Sequence, residues 1–221
     1  MSRALDHLVV AARSLADGVR WCEAALGVTP DAGGRHALMG THNRVLSIAS
    51  PAFPKAYLEI IAIDPDAPPP GRPRWYDLDD ETLQAALADG PRLVHWVLRC
   101  DDDIAERARS LRDAGLDTGD ILAVQRDGAQ GLLRWRIGVR ADGRRLAHGA
   151  VPTLIQWDDR HPCDSLPARG VSLEHLTLTG LPPAASALCE APGVRPAAGG
   201  PPLSAVLSTP LGRVELHSTD L

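Results

Sequence analysis

Four polar residues sit inside otherwise apolar runs of the chain: His7 in LDHLVV, Glu59 in YLEIIAI, His95 in LVHWVL and Gln156 in TLIQW. A polar side chain among aliphatic neighbours is destabilising unless something satisfies it, and an unpaired buried carboxylate shifts its pKa until it is neutral. A divalent cation removes that penalty by charge and direct coordination. Two imidazoles, a carboxylate and a carboxamide form a nitrogen-and-oxygen donor set suited to Zn, Ni, Co, Mn or Fe(II) and unattractive to soft, thiophilic ions. The competing reading is that a lone His in an apolar strand is a hydrogen-bonded core residue, and His175 in LEHLTL is read that way. For the other four, equivalence of position favours coordination. His7 and His95 occupy the same slot of two repeats, as do Glu59 and Gln156.

Other side chains are candidates for substrate contact. His42 and Asn43 follow Thr41 between two apolar runs, where they either touch a substrate or make an Asx-type turn, the turn being preferred. Arg134 and Arg136 alternate with Leu133, Trp135 and Ile137, which suits a clamp on an anionic substrate, although solvated arginines on a strand face are commoner. Trp96 and Trp157 each adjoin a proposed ligand, so strand alternation turns them to the opposite face, as core. Cys22, Cys100, Cys163 and Cys189 lie far apart without a CxxC pair and read as packing residues in a reducing compartment.

The elements that must position these residues repeat. Residues 1–64 read as β-α-β-β-β, with Ser14 capping a helix through Leu15, Val19, Cys22 and Leu26 that stops at Gly27. His36 to Met39 and Arg44 to Ala49 are expected as strands after a Gly33-Gly34 turn. Residues 65–91 form a Pro-rich insertion with one short helix. Residues 92–160 repeat the order, with the Asp103 and Glu106 capping box opening a helix that ends at Gly115. Residues 161–221 hold a shortened third, βαββ-like unit. The expected fold is α+β: paired βαβββ modules forming a curved, mixed-sheet cleft, with the degenerate third unit packed on the sheet. In each complete module the opening and closing strands are expected to be neighbours.

Composition narrows the function classes. The chain has 221 residues, a formal net charge of −5 and 44% hydrophobic residues, enough for a proper core and the wrong sign for a nucleic-acid footprint. No apolar run reaches the roughly 18 residues of a membrane span. The first residues read as a strand rather than a signal peptide, so a cytoplasmic location is expected.

The segments LDHLVVAARSLADGVRWCEAALGV, GTHNRVLSI, YLEIIAIDP, PRLVHWVLRCDD, LLRWRIGV and PTLIQWDD resemble a glyoxalase-like member of the vicinal oxygen chelate superfamily, the group of glyoxalase I, extradiol dioxygenases and bleomycin-resistance proteins. The resemblance implies a divalent metal held by His7, Glu59, His95 and Gln156. It implies a small oxygen-chelating substrate, with lyase or isomerase proton transfer through a metal-stabilised enolate. Glu59 becomes the catalytic base if it leaves the metal transiently. Glyoxalase I usually presents a carboxylate where this chain has Gln156, and a carboxamide cannot take a proton. Two alternatives stand beside this reading: an Fe(II) extradiol-type dioxygenase on His7, His95 and Glu59, and a metal-free, resistance-type binding protein with His7 and His95 as hydrogen-bond donors. A homodimer is expected from the resemblance alone.

Overall fold

The computed structural model describes residues 3–128 and 131–218. The first module runs β1 (Arg3–Ala11), α1 (Leu15–Leu26), β2 (Asp31–His36), β3 (Thr41–Ser47) and β4 (Tyr57–Ile63). Ser14 caps α1 by accepting from the Asp17 N–H, and Gly27 ends it in the left-handed conformation at φ 74°. A short helix, α2 (Glu81–Ala86), follows in the insertion. The second module runs β5 (Arg92–Cys100), α3 (Ile104–Asp113), β6 (Asp120–Gly128), β7 (Gly131–Val139) and β8 (Thr153–Trp157). The chain closes with β9 (Ser172–Thr179), α4 (Pro183–Ser186), β10 (Val194–Ala197), β11 (Leu203–Thr209) and β12 (Gly212–His217).

Both modules fold to one plan. The eight strands follow the order β2-β3-β4-β1-β5-β8-β7-β6, with β1 parallel to β4, β5 parallel to β8, and the two opening strands antiparallel at the centre. The sheet curls until its edges approach: the Arg126 guanidinium of β6 lies against Gly34 of β2. Helices α1 and α3 cover the convex face. Cys22, Leu26, Ile104 and Leu111 join Leu8, Ile60, Trp96 and Leu98 there in one apolar cluster. The concave face holds a second cluster around Val9, Ile61, Val97, Trp135 and Ile155.

The insertion enters the hollow of the sheet. Trp75 and Tyr76 are buried in the concave cluster, and Tyr76 and Asp77 both adopt positive φ, 60° and 59°. Non-glycine residues rarely hold that conformation without outside support. Support comes from Arg145, whose Nε donates to Asp77 Oδ2 at 2.6 Å, and from the Asp77 N–H, which donates to the Gly143 carbonyl at 3.1 Å.

Several local expectations are corrected. Thr41, His42 and Asn43 open β3 rather than forming a turn, and the chain reverses instead over Ala37–Gly40, where the Met39 N–H donates to the His36 carbonyl and Gly40 takes φ 57°. Gly33 and Gly34 lie within β2, which ends at His36. A Cβ on Gly33 would stand 2.0 Å from Asn43 Oδ1, so a glycine there lets the Asn43 amide reach the backbone. The third unit keeps the β-α-β-β-β order but not its pairing. Its sheet runs β10-β9-β11-β12, so the opening strand β9 never meets the closing strand β12. Leu173, Leu176, Leu203 and Leu207 of this sheet pack into the convex-face cluster. Among the described residues, no helix is long and apolar enough to cross a membrane.

Candidate functional site

Glu59 lies on the concave face of β4, opposite Val9 of β1 and Val45 of β3, and is 5% exposed. Asn43 Nδ2 donates to Glu59 Oε1 at 2.6 Å, while Asn43 Oδ1 accepts from the Gly34 N–H at 2.8 Å. The amide is thus engaged at both ends, which fixes its orientation. His7 Nε2 stands 3.5 Å from Glu59 Oε2, and His36 Nε2 stands 3.9 Å from Glu59 Oε1.

Behind His7 is Asp6, adjacent in sequence yet turned to the same partner network. An ordinary strand would send these neighbours to opposite faces. Here the ladder slips: Leu5 pairs with Leu98 and His7 with Val97, so Asp6 is the extra residue of a bulge. His7 Nδ1 donates to Asp6 Oδ1 at 2.7 Å. Asp6 Oδ2 accepts from Trp157 Nε1 at 2.9 Å and from His161 Nε2 at 3.0 Å. The His161 tautomer follows from its other nitrogen, which accepts from the Cys163 N–H at 3.1 Å.

These contacts set the charges. Burial alone would drive His7 down, but its bond to Asp6 and the neighbouring Glu59 carboxylate outweigh it and raise its pKa to about 9. Burial pushes Asp6 and Glu59 up, yet His161 and His7 hold Asp6, and His7 and His36 hold Glu59, well below the usual carboxylate range. His36 is the reverse case: burial lowers it to about 4, so it is neutral at pH 7. The result is a buried chain of alternating charge, Asp6–His7–Glu59.

The chain ends in a cavity with about 340 Å³ of empty space, its mouth included. Five of the molecule's eight aromatic side chains wall it: Tyr57, Trp75, Tyr76, Trp135 and Trp157. Tyr57 stacks on His7 with ring centroids 4.5 Å apart, and Trp75 stacks on Tyr76 at 5.3 Å. Arg126 of β6 adds a cation to the wall. Flat apolar walls around one acid–base pair suit a small, planar, oxygen-bearing ligand.

Of the expected metal ligands, only His7 and Glu59 come together. His95 lines a different cavity, and its Nε2 accepts from the Thr153 N–H at 3.0 Å, so its lone pair is already used. Gln156 faces the helix side of β8. Its Nε2 donates to the Asp102 carbonyl at 2.6 Å and its Oε1 receives the Ile104 N–H at the start of α3. The residue that points inward from β8 is Trp157, so the expectation for this pair is reversed. Among the described residues, no three His, Cys, Asp or Glu side chains are grouped to hold a metal ion. The misfit lies in His95 and Gln156, whose donor atoms are engaged elsewhere. The donor set therefore does not fit a divalent metal, whether Zn, Ni, Mn or Fe(II).

The other predicted contacts divide. Asn43 joins the site as the clamp on Glu59. His42 faces away, with Nδ1 3.7 Å from Asp64. Arg134 and Arg136 are exposed on β7, opposite to Trp135 and Ile137, which line the cavity. Sequence reasoning missed Asp6, His36, Tyr57, Tyr76, Arg126 and His161. Asp6 carried one signal, a carboxylate beside His7 in an apolar strand, but the bulge that turns it inward has none.

A family model described as a glyoxalase-like domain matches residues 5–191. No curated protein matches the chain significantly. Among solved structures, the chain is similar to a hypothetical protein from Staphylococcus aureus at 12% identity and a TM-score of 0.56, covering 99% of this chain and 87% of that one. At that identity the likeness shows the fold alone. A methylmalonyl-CoA epimerase from Mycobacterium tuberculosis matches at 19% identity and a TM-score of 0.38, covering 70% of this chain and 86% of that one, which is too loose to carry an argument.

Proposed function

The chain belongs to the glyoxalase-like domain family, and from that premise we propose that it acts on a small oxygen-bearing molecule by proton transfer, with Glu59 as base and His7 as acid. The Asp6–His7–Glu59 chain ending in the aromatic cavity carries this reading. At pH 7 both groups hold the protonation their roles need. Glu59 is ionised and can take a proton from a carbon beside a carbonyl, while protonated His7 donates Nε2–H to the oxyanion that forms. A carboxylate held at so low a pKa is a weak base while paired. A substrate oxygen that draws the His7 proton toward itself weakens that pairing and raises the basicity of Glu59. Returning the proton to the same carbon or its neighbour completes an epimerisation or isomerisation with no net change in atoms.

The test is hydrogen exchange in D2O, followed by proton NMR on a panel of 2-oxo, 3-oxo and 2-hydroxy carbonyl compounds. A substrate loses its α-hydrogen signal with the wild-type protein, and Glu59→Gln stops the loss while leaving binding within a few-fold. The metal-free binding protein is the second reading, favoured by the aromatic enclosure and by the His7–Glu59 pair already satisfied without a ligand. Compounds that quench the tryptophan fluorescence but never exchange decide for it.

A further inference from the structure

The second cavity, with about 400 Å³ of empty space, shares Trp75 and Tyr76 with the first and is lined by none of His7, Glu59 or Asn43. Its walls are rich in donors. The loop after β7 contributes Arg140, Arg144 and Arg145. Arg140 pairs with Asp142, and Arg145, whose side chain is only 2% exposed, pairs with Asp77. Arg144 is exposed, and among the described residues its guanidinium makes no hydrogen bond or ion pair, although Asp80 and Asp142 act on it electrostatically. Arg145 uses Nε and Nη1, on Asp77 and the Val94 carbonyl, and leaves Nη2 over.

Three further polar atoms of residues lining this cavity lack a partner among the described residues: the Trp75 indole N–H, the Thr118 hydroxyl and His95 Nδ1, all buried. A buried donor without an acceptor destabilises the fold by about 1–3 kcal/mol, so such groups mark a place where something else binds. Indole N–H and guanidinium only donate; neither can accept. A partner satisfying both must therefore present acceptor oxygens, and the three arginines of the wall favour a negative one.

We propose that this cavity is a binding site for a small oxyanion, a carboxylate or a phosphoryl group, gripped by Trp75 Nε1, Thr118 Oγ1, Arg144 and Arg145. It is a site of its own and does not depend on the role given to Glu59. The probes are acetate and inorganic phosphate, with acetamide as the neutral control, titrated into protein labelled with ¹⁵N at tryptophan. The Trp75 indole resonance, assigned by its absence in Trp75→Phe, shifts and saturates with acetate, with phosphate or with both, and not with acetamide. Arg144→Gln, which disturbs no contact of the fold, weakens that binding at least tenfold, and Thr118→Val weakens it several-fold. Glu59→Gln leaves it unchanged, which separates this result from the proton-transfer assay. Saturation by acetate alone identifies a carboxylic-acid ligand, and by phosphate alone a phosphoryl ligand. An indole resonance that none of the anions moves, or that Arg144→Gln does not affect, overturns the proposal.

Discussion

Three histidines on the inside of the sheet respond to burial in opposite ways, and the balance predicts how stability depends on pH. His7 is raised to about 9, whereas burial lowers His36 to about 4 and burial with the Arg145 charge lowers His95 to about 3, against an ordinary value of 6.5. Above pH 6.5 the folded chain keeps the His7 proton that the unfolded chain has lost, so stability falls as pH rises toward 9. Below 6.5 the unfolded chain takes up protons that His36 and His95 refuse, so stability falls as pH drops. Each group contributes up to about 1.4 kcal/mol per pH unit. Two act on the acid limb and one on the alkaline limb. The melting temperature is therefore expected to peak near pH 6.5 and to fall more steeply on the acid side. A melting temperature still climbing as pH approaches the His7 value would contradict the assignment. Little of this was legible in the sequence. His7 and Glu59 stood out as polar residues in apolar strands, but His36 in a glycine-flanked stretch did not, and parity put Gln156 inward and Trp157 outward when β8 has them the other way round.

The strands and helices follow their sequence patterns where the patterns are long. Strand β1, helix α1, strand β4 and strand β5 were all legible from apolar runs, the Ser14 cap and the Gly27 stop. Strands β6 and β10 were not, because DILAVQRDG is half polar and VRPA is four residues with a proline. The bulge at Asp6 belongs to this scale too, since pairing between β1 and β5 creates it and neither strand alone records it. Helix α1 meets the sheet through Gly18, where an added Cβ would stand 2.3 Å from Ile60 Cγ2 and 3.3 Å from the Ala12 Cβ. Ala would gain about 1 kcal/mol of helix propensity, but overpacking costs about 1–3 kcal/mol. Because the clash is so close, Gly18→Ala is expected to lower the urea midpoint, with the m-value unchanged. An unchanged or higher midpoint would show that α1 can ride away from the sheet freely.

At the scale of the molecule, the C-terminal sheet shares its apolar contacts with the modules instead of enclosing a core of its own. Leu173, Leu176, Leu203 and Leu207 lie in the same cluster as Leu5, Leu8 and Trp96. A tie of another kind comes from the chain leading into that sheet: His161 reaches back to Asp6. Unfolding is therefore expected to be one cooperative transition, with tryptophan fluorescence and far-ultraviolet circular dichroism superimposing. Two separated transitions would show the C-terminal sheet melting alone. The doubled module was legible from the repeated LDHLVV and LVHWVL strands, and the curved sheet follows it. The third repeat was legible only as a shortened order of elements without β10, because strand pairing depends on contacts distant in the chain.

Trp75 and Tyr76 are one pair of rings lining both chambers. A guest that moved these rings in one chamber would reshape the other. Any coupling carried that way is reciprocal: a guest beside Glu59 would change the hold on an anion in the second chamber by the same factor that the anion returns.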